Sequence, residues 1–519
     1  MKKMTLKKFF GGICCAAMMV FAVSCAQGVD DEVYKSTATN QQMVSPTLTE
    51  ANFSTVVNAD GSESVKVSWD LIKGCGGCQC YVWIVDDPAN PVEIVNKVVD
   101  GTSFLFEKLE DTDYKVSVLA LGNKANNNTD ATAASEATYT TKVPAILVPA
   151  GTELSSFIAE NLDLEKVGEQ AFELEAGQNY PVTGIIDFKD KLVTFRGNKV
   201  NRPIVTFEAG QTSGLMTAGG LKVKFINFDC TNMAFDKYVY GSSKETSTYN
   251  YAFLNMGDGT YPQLLSATNK GYVLADPIIF EQCNFKNLPK AFIGCGYNAW
   301  LVQDFRITDC IIQIKHCNLD HDNANFISFY KNCGGYNGEF GKAWTGAVQN
   351  VTIKNSTIYN TETISGTKKV RFMRWAGKNG IKDIMGSHTG TFTIQNCTLR
   401  NVYHQGEFGN NIAEDAAYVV TYGSTIFYDC ARVQKLANVG NNKSKLNLPS
   451  KNVGWVATPN NAEGGEMLSG NDKSKVKLTE EDPGFGEMTE LDLTDSQFGG
   501  QNFKPTGTVS STIGDPRWL

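Results

Sequence analysis

Histidine is scarce in this 519-residue chain: there are four, and none forms a His-x-x-x-His or similar pair. A histidine-rich transition-metal centre is therefore excluded. Basic residues are outnumbered by acids, 47 to 55, and Lys2, Lys3, Lys7 and Lys8 all fall in the first 24 residues, which hold no acid. The remainder is thus more acidic than the net -8 of the whole chain. That argues against nucleic acid as the main partner, because phosphate binding needs a basic surface. No long helical repeat is present and proline is modest at 15.

Glycine, by contrast, is abundant at 48, and asparagine recurs between short apolar triplets, the composition of many short strands joined by tight turns. The length calls for two or more domains or a repeat architecture. The N-terminus has a lysine-rich start, an apolar stretch from Phe9 to Val23, and small Ser24 before Cys25. This reads as a secretory signal over residues 1–24, too short an apolar run to span a bilayer. Ala22-Val23-Ser24-Cys25 resembles the lipobox of bacterial lipoproteins, although Leu is commoner where Ala22 stands. The early acids Asp30, Asp31 and Glu32 resemble the surface-export signal of lipoproteins from the Bacteroidota. The resemblance implies lipidation at Cys25, an outer-membrane, cell-surface location, and membrane contact through the lipid anchor alone. Residues 25–45 read as a flexible tether.

From 46 to 142 short alternating segments predict an antiparallel β-sandwich. Val65, Val67 and Trp69 share one face of a strand, and Tyr81, Trp83 and Val85 one face of the next. Leu109-Glu-Asp-Thr-Asp-Tyr114 resembles the tyrosine corner of fibronectin type III modules, with Trp69 as core tryptophan. Cys75, Cys78 and Cys80 between the two tryptophan strands read as a loop disulfide or loose thiols, since no nearby His completes a metal set.

After residue 220 one unit returns: apolar, any, Asn/Asp/Gln, Cys/Ser, any, apolar. Copies start at Phe280, Ile307, Ile353 and Ile394, with a weaker one at Phe427 and an earlier one at Phe225, spaced 27 to 55 residues apart. A constant local unit at irregular spacing fits a coil whose rungs keep strand and turn while loops vary. The polar residue before each Cys would form an amide ladder, with the Cys and Ser side chains stacked inside. Glu153 to Leu162 predicts a short capping helix, and Phe172 to Tyr180 a first rung. The coil is expected over 146–519, with an N-terminal cap at about 151–207 and a C-terminal cap at about 476–519 that includes Asp482-Pro-Gly-Phe485 and Gly514-Asp-Pro-Arg-Trp518.

These features resemble a group of pectate-lyase-like β-helix lipoproteins from the Bacteroidota that carry a fibronectin-like module and end in Gly-Asp-Pro-Arg-Trp. The resemblance implies an all-β protein, a fibronectin type III-like sandwich followed by a right-handed parallel β-helix, that works on polysaccharide at the cell surface. A monomer is expected.

Strand alternation then selects outward side chains. One stripe reads Glu281, Thr308, Lys354, Gln395, Tyr428, and another Lys286, Gln313, Tyr359, Arg400. Lys369, Arg371, Arg374, Trp375 and Lys378 add a basic cluster, and Arg suits bidentate capture of uronate carboxylates. Trp300, Trp344 and Trp375 are candidates for stacking on sugar, or for simple packing. The candidate glycan-binding residues are therefore Lys286, Lys354, Tyr359, Arg371, Arg374, Trp375 and Arg400.

A uronate lyase needs calcium and a base. Asp304, Asp320 and Asp322 are the candidate calcium ligands, and Arg306, Asp320, His321 and Asp322 the candidate catalytic residues, but the stripes hold no acidic column. Polygalacturonase-like Asn-Thr-Asp, Asp-Asp and Gly-His-Gly motifs are missing from the coil, which argues against glycoside hydrolysis by paired carboxylates. The expectation is polysaccharide binding, with a calcium-dependent lyase and an adhesin or structural surface protein as alternatives.

Overall fold

A computed structural model describes residues 38–234, 252–257, 272–289, 291–294, 300–315, 325–329, 346–362, 371–375, 390–403, 408–410, 419–430, 445–455, 478–495, 503–506, 509 and 512–519. The chain divides into two compact units, Met1–Val143 and Pro144–Leu519.

Among its described residues the first unit has seven strands: β1 (Phe53–Val57), β2 (Glu63–Ser68), β3 (Cys75–Ile84), β4 (Val92–Val99), β5 (Ser103–Glu107), β6 (Asp113–Gly122) and β7 (Ser135–Thr140). They form two antiparallel sheets, β1-β2-β5 and β4-β3-β6-β7, around one core of Val65, Val67, Trp69, Phe104, Tyr114 and Val116. The Tyr114 hydroxyl accepts from Leu109 N at 2.8 Å, so the ring closes the turn into β6 while its body stays buried. The cysteines are not in a loop. Cys75 opens β3, and Cys78 and Cys80 point into the core as free thiols, leaving Tyr81 and Trp83 on the opposite, half-buried face. The period of two explains this: with Val82 inside, Cys80 and Cys78 must follow it. The expected tether also ends early, because Met43 is buried and donates to Thr129 O at 2.9 Å.

The second unit begins with β8 (Ile146–Val148) and helix α1 (Leu154–Asn161). Glu153 caps α1: its carboxylate accepts from Ser155 N, Ser156 N and Thr183 N. Leu154 and Ile158, one turn apart, bury the helix's apolar side in the coil core. Then β9 (Gln170–Leu174) and β10 (Asn179–Val182) start the first rung.

From there the chain visits three parallel sheets in rotation, an eleven-stranded, a ten-stranded and a seven-stranded one among the described residues. This is a parallel β-helix. Six passes from the eleven- to the ten-stranded sheet are two-residue turns whose first residue has positive φ: Phe225, Gln282, Asp309, Asn355, Asn396 and Ser424, at 48 to 59°, while the passes after Leu174, Arg196 and Asn447 are longer. Asn and Asp tolerate that conformation best, which is why they recur there. Asn396 Nδ2 donates to Asn355 Oδ1 at 3.1 Å, one step of the expected ladder. The next residue of each turn points inward, and these stack in register: Cys283 N lies 3.5 Å from Cys310 Sγ, and Cys310 N donates to Ser356 Oγ at 3.1 Å. Inside, phenylalanines pile up between rungs, as in Phe326, Phe372 and Phe408 at 4.8 and 4.7 Å.

Two copies of the unit sit differently from expectation. Phe427 pairs with Leu399, so it ends its unit, and the true start is Tyr422. Likewise Val223, not Phe225, pairs with Phe280. The decoy is chemical. Asp429 also has positive φ before the buried Cys430, but at the turn on the far side of the ten-stranded sheet, beside Asn401. Tyr428 therefore belongs to the row of Arg400, its partner in register, and not to that of Gln395.

The described part of the C-terminal segment covers a lateral face of the coil. After Leu478–Glu480 adds the last strand to the ten-stranded sheet, the chain runs back over that sheet's outer face. Phe485 packs on Tyr428, Gly486 O accepts from Arg400, Thr489 O from Tyr359, Leu491 N donates to Gln313, and Leu493 O accepts from Asn227. A second apolar core forms outside the coil, with Ile311, Tyr359 and Ile426 on the sheet and Phe485, Leu491, Phe503 and Ile513 on the strap.

Candidate functional site

The strap decides which faces a ligand can reach. Tyr359 and Gln313 are fully buried and Arg400 is 7 % exposed; its guanidinium donates to Gly486 O at 2.7 Å and lies 4.6 Å from the Tyr428 ring. Burial lowers the Arg400 pKa. Lys286, in the same row, is half-buried beside Asp492. The expected glycan contacts Lys286, Tyr359 and Arg400 thus lie on a face covered by protein. Alternation correctly pointed them away from the coil axis, and a distant segment of chain then covered them.

The outer face of the eleven-stranded sheet is different. One row runs Arg306, Thr352, Thr393, Thr421 in strict register, and the neighbouring row Glu281, Thr308, Lys354, Gln395. Arg306 is exposed and the others are half-buried. At roughly 4.8 Å per rung, four rungs span about 14 Å. Toward the first rungs this face neutralises itself: Arg196 pairs with Glu173 at 2.6 Å and Lys224 with Glu281 at 3.1 Å. Arg306 pairs with Asp304 in a two-pronged contact, at 3.0 Å for one prong and 2.5 Å for the other. Lys354 has no ion pair among the described residues. It is a cation set among hydroxyls and an amide.

The remaining candidates are dispersed. Arg371 has Nε and Nη1 buried without a partner among the described residues. Arg374 and Trp375 lie on the strand Met373–Trp375 of the seven-stranded sheet, and their side chains are outside the described set. Trp300 is packing: it is 2 % exposed, stacks on Tyr272 and donates to Gly257 O. Asp304 is engaged by Arg306. Asp320, His321 and Asp322 lie outside the described residues, as do Cys25, Trp344, Lys369 and Lys378. Among the described residues no three His, Cys, Asp or Glu side chains gather into a metal-holding group. No described helix is long and apolar enough to cross a membrane.

One concave site went unforeseen. A groove of about 580 Å³ opens where the strap turns at Leu493, Thr494 and Asp495, against Asn179, Asn227 and Asn284 on the ten-stranded sheet and the loop carrying Lys199 and Arg202. Asn284 Nδ2 donates to Asn227 Oδ1 at 2.9 Å. The recurrence of Asn one residue past the turn, at 227 and 284, was visible in the sequence, but its meeting with residues 493–495 was not.

Comparison with known proteins adds the following. Residues 1–177 match the model of DUF4992, a domain of unknown function, and residues 178–361 that of a second domain of unknown function, DUF4957. No curated protein matches. Among solved structures the chain is similar to a PL6 family alginate lyase, AlyGC, at 12 % identity and TM-score 0.26, covering 64 % of this chain and 41 % of that one. It is also similar to a family 28 exopolygalacturonase of Yersinia enterocolitica, at 10 % identity and TM-score 0.16, covering 84 % and 89 %. The chain thus spans well under half of the alginate lyase.

Proposed function

We propose that this protein is a cell-surface lipoprotein that binds polysaccharide, with uronate-containing chains the best fit, along the open outer face of its eleven-stranded sheet. In this reading Cys25 carries the lipid, the first unit is a fibronectin type III-like spacer, and the right-handed coil presents the ligand face as a monomer. The observation that carries the proposal is the paired row of Arg306, Thr352, Thr393 and Thr421 beside Thr308, Lys354 and Gln395. Hydroxyl and amide groups at the rung spacing offer repeated hydrogen bonds to an extended chain, and Lys354, without an ion pair among the described residues, supplies positive charge for a carboxylate.

Affinity electrophoresis of the intact protein against pectic, alginate and host glycans tests this. Retardation by an acidic polymer, reduced in Lys354→Ala, is expected; no retardation by any polymer sinks the reading. A calcium-dependent lyase draws less support, because Asp304 is already held by Arg306.

A further inference from the structure

The groove beside the strap's turn holds one buried donor without a partner and an amide oxygen open to a ligand. Arg202 makes no hydrogen bond or ion pair among the described residues, and its Nε is buried without a partner. Asn284 is 3 % exposed; its amide nitrogen is used on Asn227, while its Oδ1 accepts nothing from the described residues. Leaving the buried Arg202 Nε unmet costs free energy. Burial also lowers the Arg202 pKa, and Asp309, whose field favours the charged form, is itself engaged with Asn355 and Arg517. That cost is removed if a ligand supplies an acceptor to Arg202, and a donor on the same ligand finds Asn284 Oδ1 open.

We propose that this groove binds one carboxylate-bearing sugar residue, its carboxylate on Arg202 and its hydroxyls on the Asn179 amide and Asn284 Oδ1. Three features select that class. The volume, about 580 Å³, suits a sugar or two and is generous for a bare inorganic anion. The wall is polar amide, which matches hydroxyls better than an apolar ligand. Arg202 and the Asn179 and Asn284 amides line the same groove, so a ligand with both an acid and hydroxyls meets a cation and hydrogen-bonding groups together. The site lies on the ten-stranded sheet, apart from the open face of the eleven-stranded one. It would hold a chain end or branch while the open face holds a chain's length. The ligand class rests on the polysaccharide reading, but the residues are separate.

Titration calorimetry of the full chain with galacturonate, galactose and sodium sulfate tests the proposal. Expected is galacturonate binding at least tenfold tighter than galactose or sulfate, lost at least tenfold in Arg202→Gln and in Asn284→Asp, with the thermal midpoint of Arg202→Gln not lowered. Equal binding of sulfate would make this a plain anion site and overturn the sugar, as would no galacturonate binding or binding untouched by both variants. Galacturonate binding that persists in Lys354→Ala, with polymer retardation absent from the start, sinks the open-face reading and leaves this one standing. Retardation that persists without galacturonate binding does the reverse.

Discussion

Trp518, one residue from the C-terminus, donates its indole Nε1 to Thr357 Oγ1 at 2.7 Å, and that hydroxyl donates in turn to Asp515 Oδ2 at 2.8 Å. Asp515 is 1 % exposed and pairs with Arg517, which also reaches Asp309 O. The last residues are therefore clasped to the middle of the coil.

The clasp should be measurable. Thr357→Val keeps the shape but leaves Asp515 and the indole each short of a partner, so unfolding free energy should fall by about 2 kcal/mol. Guanidinium denaturation checks it. A variant indistinguishable from the parent would mean the strap is not coupled to the coil's stability.

Covered and open faces should respond oppositely. Arg400→Ala removes a stacked guanidinium from under the strap and should lower stability by about 2 kcal/mol while leaving polymer retardation alone. Lys354→Ala, on the open face, should weaken retardation several-fold with stability within about 0.5 kcal/mol of the parent. Retardation lost in Arg400→Ala at a temperature where it stays folded would reopen the covered face as a binding surface.

The helix cap carries a pH dependence of known sign. Burial by itself would raise the Glu153 pKa, but hydrogen bonds from Ser155, Thr183 and Ser156 outweigh it and hold the group at about 2, against an ordinary 4.5. A depressed carboxylate stabilises fully above its unfolded pKa, and that contribution is lost as pH falls from 4.5 through about 2. Glu153→Gln should cost about 1 kcal/mol at pH 7, and the difference from the parent should shrink as pH is lowered through that window. A gap that stays constant down to pH 2 would assign the effect to packing instead.

The turn ladder constrains residue choice by backbone as well as by hydrogen bonding. Asn396 has φ 54° and donates to Asn355. Asn396→Val combines a β-branched residue at positive φ with a lost amide bond, and about 2 kcal/mol of destabilisation is expected, against far less for Asn396→Gly. Thermal denaturation of the two variants side by side separates strain from the hydrogen bond.

Much of this was legible in residue order. The copies starting at Phe280, Ile307, Ile353 and Ile394 fell in register, because a rung that buries one face forbids a one-residue slip. The cap at 153–162 was readable because Glu153 and the 3.6-residue spacing of Leu154 and Ile158 are local. The copy at Phe427 misled because a positive-φ polar residue before a buried small one occurs at both ends of the same sheet, and six residues do not say which end they occupy.

Sequence by itself determined that the chain coils, where its turns fall, and which side chains leave the axis, since all three follow from period, turn chemistry and the need to bury alternate residues. Only the tertiary structure decided which outward rows meet solvent. Residues 482–495 lie far along the chain from Gln313, Tyr359 and Arg400, and alternation carries no information about a segment that docks from so far away. The same docking closed one sheet, left another open, and shaped the groove at Arg202.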